Sequence, residues 1–176
     1  VEKPLAINLD ELNQIKAAYQ AQSKSLTVGF NRRFSPHAEA IKKALGNHPG
    51  PMNIVATMNA GFIPDSVWIH DMHVGGGRII GEACHLIDLI SFFAASRVKE
   101  VCMTAMGQQP GVATDNASLL LKYENGTNAT VHYFANGSKA YAKERVEIYS
   151  QNRTLILHNF IETTAYGLKG FRRLKT

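Results

Sequence analysis

The sequence has only two cysteines, Cys84 and Cys102, and no apolar run near the roughly 20 residues that a membrane-spanning helix needs. No Cys-x-x-Cys spacing occurs, which argues against a disulfide framework or a zinc site. We therefore predict two reduced, buried thiols in a cytoplasmic protein that does not associate with membranes. The chain also lacks an initiator methionine and a signal peptide, so we expect it to begin inside a longer protein.

Acidic residues are scarce relative to basic ones, which gives a formal net charge of +5. Residues 163–176 hold four cations and no acid, so most of this charge belongs to the C-terminal end. A nucleic-acid-binding surface needs basic residues interleaved with aromatic ones across a face. No such stripe is present, and we predict no nucleic-acid partner.

Two kinds of structure follow one another along the chain. Apolar spacing predicts a helix at 9–22, capped by Asn8 with Glu11 in a capping box, and Ser35-Pro36 predicts the start of another. The remaining predicted elements are a buried strand at 26–30, a helix end at Gly46 before the turn His48-Pro49-Gly50-Pro51, a strand at 52–58, a helix at 82–95 and strands at 98–106, 117–123, 128–135, 145–150 and 154–158.

The C-terminal half contains only strands, joined by a tight turn at Asn125-Gly126 and another at Gln151-Asn152. Consecutive strands after one helix predict an open, mostly antiparallel β-sheet with helices on one face. The first 46 residues, by contrast, follow the helix, strand, helix order of α/β architecture. The predicted fold class is therefore α+β, attached to the end of an α/β domain.

The stretch from Gly75 to Asp88 concentrates residues that can carry chemistry. Its three glycines allow backbone to approach a ligand closely, and they precede a helix N-terminus that favours anions or polarised oxygens. Glu82, His85 and Asp88 are spaced i, i+3, i+6 and so lie along one polar arc. A histidine between two carboxylates can be held in one tautomer with a raised pKa, as a general base is. The alternative is a helix N-terminus with favourable acids and a surface histidine.

Three basic side chains near the N-terminus can also meet a ligand. Lys3, fixed by Pro4, can point into a crevice at the end of a strand, although a lone lysine is usually solvated. Arg32 and Arg33 follow the 26–30 strand and can clamp a carboxylate, a phosphate or an array of hydroxyls. The alternative is a strand-to-helix turn with solvated charges.

A further group lies on the loop before the glycines and contains Trp68, His70, Asp71 and His73. With Glu82 and His85, these histidines can in principle bind a metal ion. The ligands are scattered and no His-Glu-x-x-His pattern appears, so we predict no metal site. A metal-dependent hydrolase is kept as an alternative.

These segments, in this order, resemble the glucose-fructose oxidoreductase and inositol dehydrogenase (Gfo/Idh/MocA) family. Glu2-Lys3-Pro4 matches the family's Glu-Lys-Pro motif, and residues 31–36 resemble the junction into its second domain. Residues 75–85 resemble its Gly-Gly-x-x-x-Asp-x-x-x-His signature. The ordered set covers the chain from residue 1 to about residue 160.

The resemblance implies an NAD- or NADP-dependent oxidoreductase with a Rossmann cofactor domain and a second domain for a sugar, polyol or nucleotide-linked sugar. Residues 1–33 would be the end of the Rossmann domain, and residues 34–176 the substrate-binding and oligomerisation domain, truncated at its C-terminus. Lys3 would hydrogen-bond the reacting oxygen, and His85 would accept the hydroxyl proton. The predicted cofactor-binding residues are Glu2, Lys3 and Pro4, and the predicted substrate-binding residues are Asn31, Arg32, Arg33, Trp68, Arg78 and Glu82.

The sequence departs from the family pattern in two respects. Gly81 stands where the family usually has aspartate, which leaves Glu82 as the candidate to supply a carboxylate from the next position. The Gly-x-Gly-x-x-Gly turn that holds a pyrophosphate is absent, so we expect the chain alone to bind dinucleotide poorly and to be inactive. We also predict a homo-oligomer through the open sheet. A non-catalytic sugar-binding or assembly module is the other alternative.

Overall fold

The structure is a computed structural model that describes residues 1–47, 49–108, 111 and 114–176. His48, part of the predicted turn after the second helix, lies outside the described residues. The helices are α1 (Leu9–Gln20), α2 (Pro36–Leu45) and α3 (Cys84–Ala94), and the strands are β1 (Asn53–Asn59), β2 (Val98–Ala105), β3 (Asn116–Tyr123), β4 (Asn128–Phe134), β5 (Glu144–Ser150), β6 (Arg153–His158), β7 (Glu162–Tyr166) and β8 (Arg173–Lys175). No helix in this part of the chain has both the length and the apolar character needed to span a bilayer.

The strands of the described chain form one eight-stranded sheet in the order β2-β3-β4-β1-β5-β6-β7-β8. Neighbouring strands are antiparallel except β1 and β4, which are parallel because the connection from β1 passes through α3 before the chain returns. The predicted open, mostly antiparallel sheet is confirmed. The sequence did not predict β7 and β8, the two strands at one edge of the sheet.

The core lies between one face of the sheet and helices α2 and α3. Strand residues alternate between this face and the open one, so Ile54, Ala56 and Met58 are buried while Val55 is exposed. Ser35 caps α2 by accepting a hydrogen bond from the backbone N–H of Ala38, as predicted. The helices on one face of the sheet are therefore confirmed.

The N-terminal region is more exposed, and one prediction for it is wrong. Residues 26–30 do not form a strand of the structure. The segment makes only two hydrogen bonds with Val1: the Val1 ammonium donates to the Thr27 carbonyl at 2.9 Å, and the Gly29 N–H donates to the Val1 carbonyl at 2.8 Å. Without a longer neighbouring strand, the segment has no ladder of hydrogen bonds to join. Helix α1 begins at the predicted Asn8 cap, but it has no buried residue.

The two cysteines differ from the prediction that both are buried. Cys84 is half-buried at the start of α3, whereas Cys102 is exposed on β2. Strand β2 lies at the edge of the sheet and is exposed along almost its whole length. Its edge position explains why an apolar sequence neighbourhood did not bury the Cys102 thiol.

Candidate active site

The chain enters α3 through a π-helical turn at Ile79–Ala83, earlier than the predicted helix start at Glu82. Just before this turn, a Cβ atom on Gly75 would lie 2.6 Å from the backbone of Ile69, so glycine is needed there for close packing of the loop. Single π-helical turns within helices are frequent at functional sites, because they release backbone groups from the regular ladder. Gly81 lies in the middle of this turn.

Lys3 reaches this turn from the N-terminal region. Its Nζ atom donates a hydrogen bond to the Gly81 carbonyl at 2.6 Å, and the Lys3-Pro4 peptide bond is cis. Gly81 precedes His85 by one helical turn. The structure thus brings the two predicted catalytic side chains into one region.

His85 is 8% exposed, and its ring meets the Phe30 ring edge-on with 6.2 Å between the centroids. Its Nδ1 atom is buried and has no hydrogen-bond partner in the described part of the chain. Burial, reinforced by the charges of Arg32 and Lys3, lowers the pKa of His85 to about 4. The predicted raised pKa is therefore wrong, although Glu82 acts in the expected direction.

The two carboxylates of the predicted polar arc bind other partners. Glu82 accepts hydrogen bonds from the Tyr133 hydroxyl and from Arg78 Nη2, the latter at 3.3 Å. Burial raises the pKa of Glu82, but the Tyr133 hydrogen bond and the charges of Arg78 and Lys143 outweigh it, so the net pKa is lowered. Asp88 pairs with Arg33. Neither carboxylate hydrogen-bonds the His85 ring, because each is already held by a donor of opposite charge.

Arg78 lies beneath the site rather than on its surface, since its side chain is only 1% exposed. Its Nη1 atom donates to the Gly61 carbonyl at 2.9 Å and lies 3.5 Å from Asp115. The guanidinium also lies over the Tyr133 ring, 5.5 Å from its centroid. Arg78 thus holds Glu82 through a hydrogen bond and contacts the end of β4 through the Tyr133 ring.

The 31–34 turn is anchored at two points instead of being solvated. Arg32 donates two hydrogen bonds to Glu144, at 2.7 and 2.6 Å, which ties the turn to the start of β5. Arg33 donates to Asp88 on α3 and lies over the Phe92 ring. Asn31 is exposed at the start of this turn.

The loop before the glycines does not gather ligands around one point. Trp68 is 65% exposed, and His70 Nδ1 lies 3.7 Å from Asp115. Asp71 organises the loop by accepting the His73 backbone N–H on its carboxylate at 2.8 Å. Within residues 1–47, 49–108, 111 and 114–176, no three His, Cys, Asp or Glu side chains are placed to hold a metal ion.

Sequence reasoning missed Tyr133, Glu144 and Lys143, all at the ends of strands beside the site. A signal for Glu144 existed, because it shares the period-2 phase of the buried Val146 and Ile148. A glutamate on the core face needs a cation, which here is Arg32.

Comparison with known proteins agrees with this fold. The chain is 29% identical over 169 residues to the uncharacterized oxidoreductase YrbE of Bacillus subtilis (strain 168), covering 93% of this chain and 49% of that protein. It is 23% identical over 169 residues to a myo-inositol 2-dehydrogenase of Thermotoga maritima, covering 93% of this chain and 50% of that protein. The chain thus spans about half the length of these curated relatives.

Among solved structures, an inositol dehydrogenase homolog complexed with NAD+ from Azotobacter vinelandii superposes with a TM-score of 0.81. The match covers 99% of this chain and 49% of that one at 17% identity, which shows a shared fold. The sequence profile of the GFO/IDH/MocA C-terminal domain matches residues 50–156, more than half of the chain. The chain therefore belongs to the GFO/IDH/MocA family.

Proposed function

We propose that the chain forms the substrate site of an NAD- or NADP-dependent oxidoreductase that acts on a CH–OH group of a sugar, polyol or nucleotide-linked sugar. The observation that carries this proposal is the 2.6 Å bond from Lys3 Nζ to Gly81, one helical turn before His85. A cation for an oxygen and a neutral imidazole for its proton are the two groups that alcohol oxidation needs from the protein. The relative that acts on myo-inositol supports the substrate class.

Lys3 and His85 divide the work on the reacting hydroxyl. Lys3 Nζ hydrogen-bonds the substrate oxygen and stabilises the negative charge that develops on it. His85 is neutral at pH 7 because its pKa is about 4, so it is free to take the proton. Its Nδ1 atom is buried, which assigns this task to Nε2. With so low a pKa, His85 is a weak base, and the charge of Lys3 compensates by making the hydroxyl more acidic.

The cofactor would supply the acceptor or donor of the hydride. Glu2, Lys3 and Pro4 are the proposed contacts to its nicotinamide end, since Lys3 already lies at the turn before His85. Helix α1 fits the surface of a cofactor domain, because it exposes apolar residues such as Leu9 (74%) and Leu12 (39%) that need a covering layer. We therefore propose residues 1–33 as part of that domain and residues 34–176 as the substrate domain.

The remaining predicted substrate contacts divide by their surroundings. Asn31 and Trp68 are exposed and are proposed as direct contacts at the rim. Arg32, Arg33 and Glu82 are proposed to act mainly by holding the site together, since each is engaged in an ion pair. We also propose that copies of the protein contact one another through the open face of the sheet, where four large apolar or aromatic side chains are exposed: Val55, Leu120, Phe134 and Tyr149.

Substitution of His85 in the whole protein that carries this chain tests the role of His85. His85→Gln should lower NAD(P)+-dependent turnover about a hundredfold or more, measured with the sugar, polyol or nucleotide-linked sugar that the wild type oxidises fastest, and should leave the affinity for NADH unchanged in calorimetry. His132→Gln, on the open face beside Ser118, is the matched control and should keep full turnover. Equal turnover by wild type and His85→Gln would contradict the assignment.

Titration of NADH separates the enzyme from a non-catalytic module. We expect tight binding by the whole protein and weak binding by residues 1–176 alone, since the dinucleotide-binding glycine motif is not in this chain. Tight binding by the chain alone would contradict the proposed domain division. A whole protein that binds NADH but oxidises no sugar or polyol would favour the module.

A further inference from the structure

The charges around His85 are unevenly balanced. Each arginine that surrounds the site is paired with a carboxylate: Arg32 with Glu144, Arg33 with Asp88, and Arg78 with both Glu82 and Asp115. An ion pair of this kind presents little net charge to a ligand. The cations still available to a ligand must therefore be found among the lysines.

Lys143 is one such cation. Its backbone carbonyl accepts a hydrogen bond from Asn59 at 2.7 Å, which places it at the end of β1 and directly before Glu144. Its side chain is exposed and forms no salt bridge with a carboxylate of the described residues. Strand β1 pairs with β5 on one side and with β4 on the other, so Lys143 lies two strands from Tyr133, the residue that hydrogen-bonds Glu82. The charge of Lys143 also lowers the pKa of Glu82.

Lys3 is a second cation of the site that makes no salt bridge within the described residues. It is held by the neutral carbonyl of Gly81, at the position where the sequence pattern of the family led us to expect an aspartate. There is space for a larger residue, since a Cβ atom on Gly81 would meet no atom closer than 3.7 Å. The site thus presents two ammonium groups, and its nearest carboxylate, Glu82, is already bound by Tyr133 and Arg78.

We propose that the substrate of this site carries an anionic group, a carboxylate or a phosphate, and that Lys143 binds it. The inference rests on the proposed function and specifies its substrate class. A substrate anion supplies the negative charge that the site lacks, and a cleft with uncompensated positive charge raises the local concentration of such a ligand. Lys143 is then a residue that determines specificity, while Lys3 and His85 act on the hydroxyl.

Calorimetry on the whole protein saturated with NADH tests the proposal with three probes: D-glucuronate, D-glucose 6-phosphate and D-glucose. We expect at least one anionic probe to bind roughly tenfold more tightly than glucose, because a tenfold difference in affinity corresponds to the free energy of about one hydrogen bond to a charged group. Tighter binding of D-glucuronate would indicate a carboxylate on the substrate, and tighter binding of D-glucose 6-phosphate would indicate a phosphate. The advantage should shrink in 1 M salt, because Lys143 is exposed.

Three variants assign the effect to Lys143. Lys143→Met should abolish the preference for the anion without changing the affinity for glucose, and Lys143→Arg should retain most of it. Lys139→Met is the matched control, because Lys139 is an exposed lysine whose side chain packs against Gly61 instead. It should leave the preference unchanged.

Several results would overturn the proposal. The proposal fails if all three probes bind with equal affinity or if neither anion binds. It also fails if Lys143→Met still binds the anion more tightly than glucose. If neutral polyols are turned over and none of the anions is preferred, the oxidoreductase function stands and the substrate class is wrong. If anions bind through Lys143 but no alcohol is oxidised, the anion site stands and the proposed function fails.

Discussion

Helix α3 and residues 1–30 each contribute one member of the proposed catalytic pair, but they are held in very different ways. On α3, Leu86, Leu89 and Phe93 are fully buried in the core that covers one face of the sheet. On α1, no residue is buried and Leu9 is 74% exposed. His85 is therefore positioned by the core itself, whereas the position of Lys3 depends on a small number of contacts.

Those contacts can be named. Lys3 donates to Gly81, the Val1 ammonium donates to the Thr27 carbonyl, and Ile7 packs so closely on Gly76 that a Cβ atom there would lie 2.8 Å from it. Segments with few buried apolar contacts open at a lower free energy than the core does. The pair of Lys3 and His85 is therefore complete only when the N-terminal segment is in place, and the geometry of that segment should be more sensitive to ligands than the geometry of α3.

The largest expected contrast is in stability. Phe93→Ala removes a fully buried ring from α3 and should lower the free energy of unfolding by about 3–5 kcal/mol. Leu9→Ala on α1 should change it by less than about 0.5 kcal/mol. Urea unfolding of residues 1–176 measures both. Similar losses for the two variants would mean that α1 is as well packed as α3.

The next contrast concerns ion pairs beside the site and far from it. Arg78→Met leaves Glu82 and Asp115 without their buried cation and should cost about 3 kcal/mol of unfolding free energy. Arg173→Met, the matched control, breaks an exposed pair with Glu162 and should change the free energy of unfolding far less, because water screens that pair. Equal effects in urea unfolding would contradict the buried role of Arg78.

The smallest of these effects is the dependence of stability on pH through His85. Its pKa is about 4 in the folded chain and 6.5 in the unfolded one, so between these values the unfolded state binds more protons. Stability should therefore be complete above pH 6.5 and fall as the pH drops towards 4. The shift corresponds to roughly 3.4 kcal/mol, and screening by water at the partly accessible ring reduces the loss from this residue to on the order of 2 kcal/mol. His85→Gln should lose less stability than wild type over the same window. Parallel curves for the two proteins would show that His85 is not buried as described.

Local features were predictable from the sequence, and long-range ones were not. The Ser35 cap and the Asn125-Gly126 turn are set by a few neighbouring residues, and both occur as predicted. The pair of Arg32 with Glu144 joins residues 112 positions apart, which no local pattern indicates. The same holds for the insertion of β1 between β4 and β5.

For the same reason, the sequence predicted the residues of the candidate site but not their surroundings. The motifs identified Lys3 and His85, and the structure places both near Gly81. The direction of the His85 pKa shift was predicted wrongly, because the sequence showed two acids nearby but not the cations that bind them. Electrostatics at a site depends on pairing in space, and spacing along a helix supplies only part of it.

The most direct test of the account is a double-mutant cycle on the whole protein, with Lys3→Met, His85→Gln and both together, measured as NAD(P)+-dependent turnover. If the two side chains act on one hydroxyl, each single change should abolish most of the turnover, and the double variant should be little slower than the slower single variant. Independent losses that multiply, or a single variant with wild-type turnover, would contradict the claim that Lys3 and His85 form one catalytic unit.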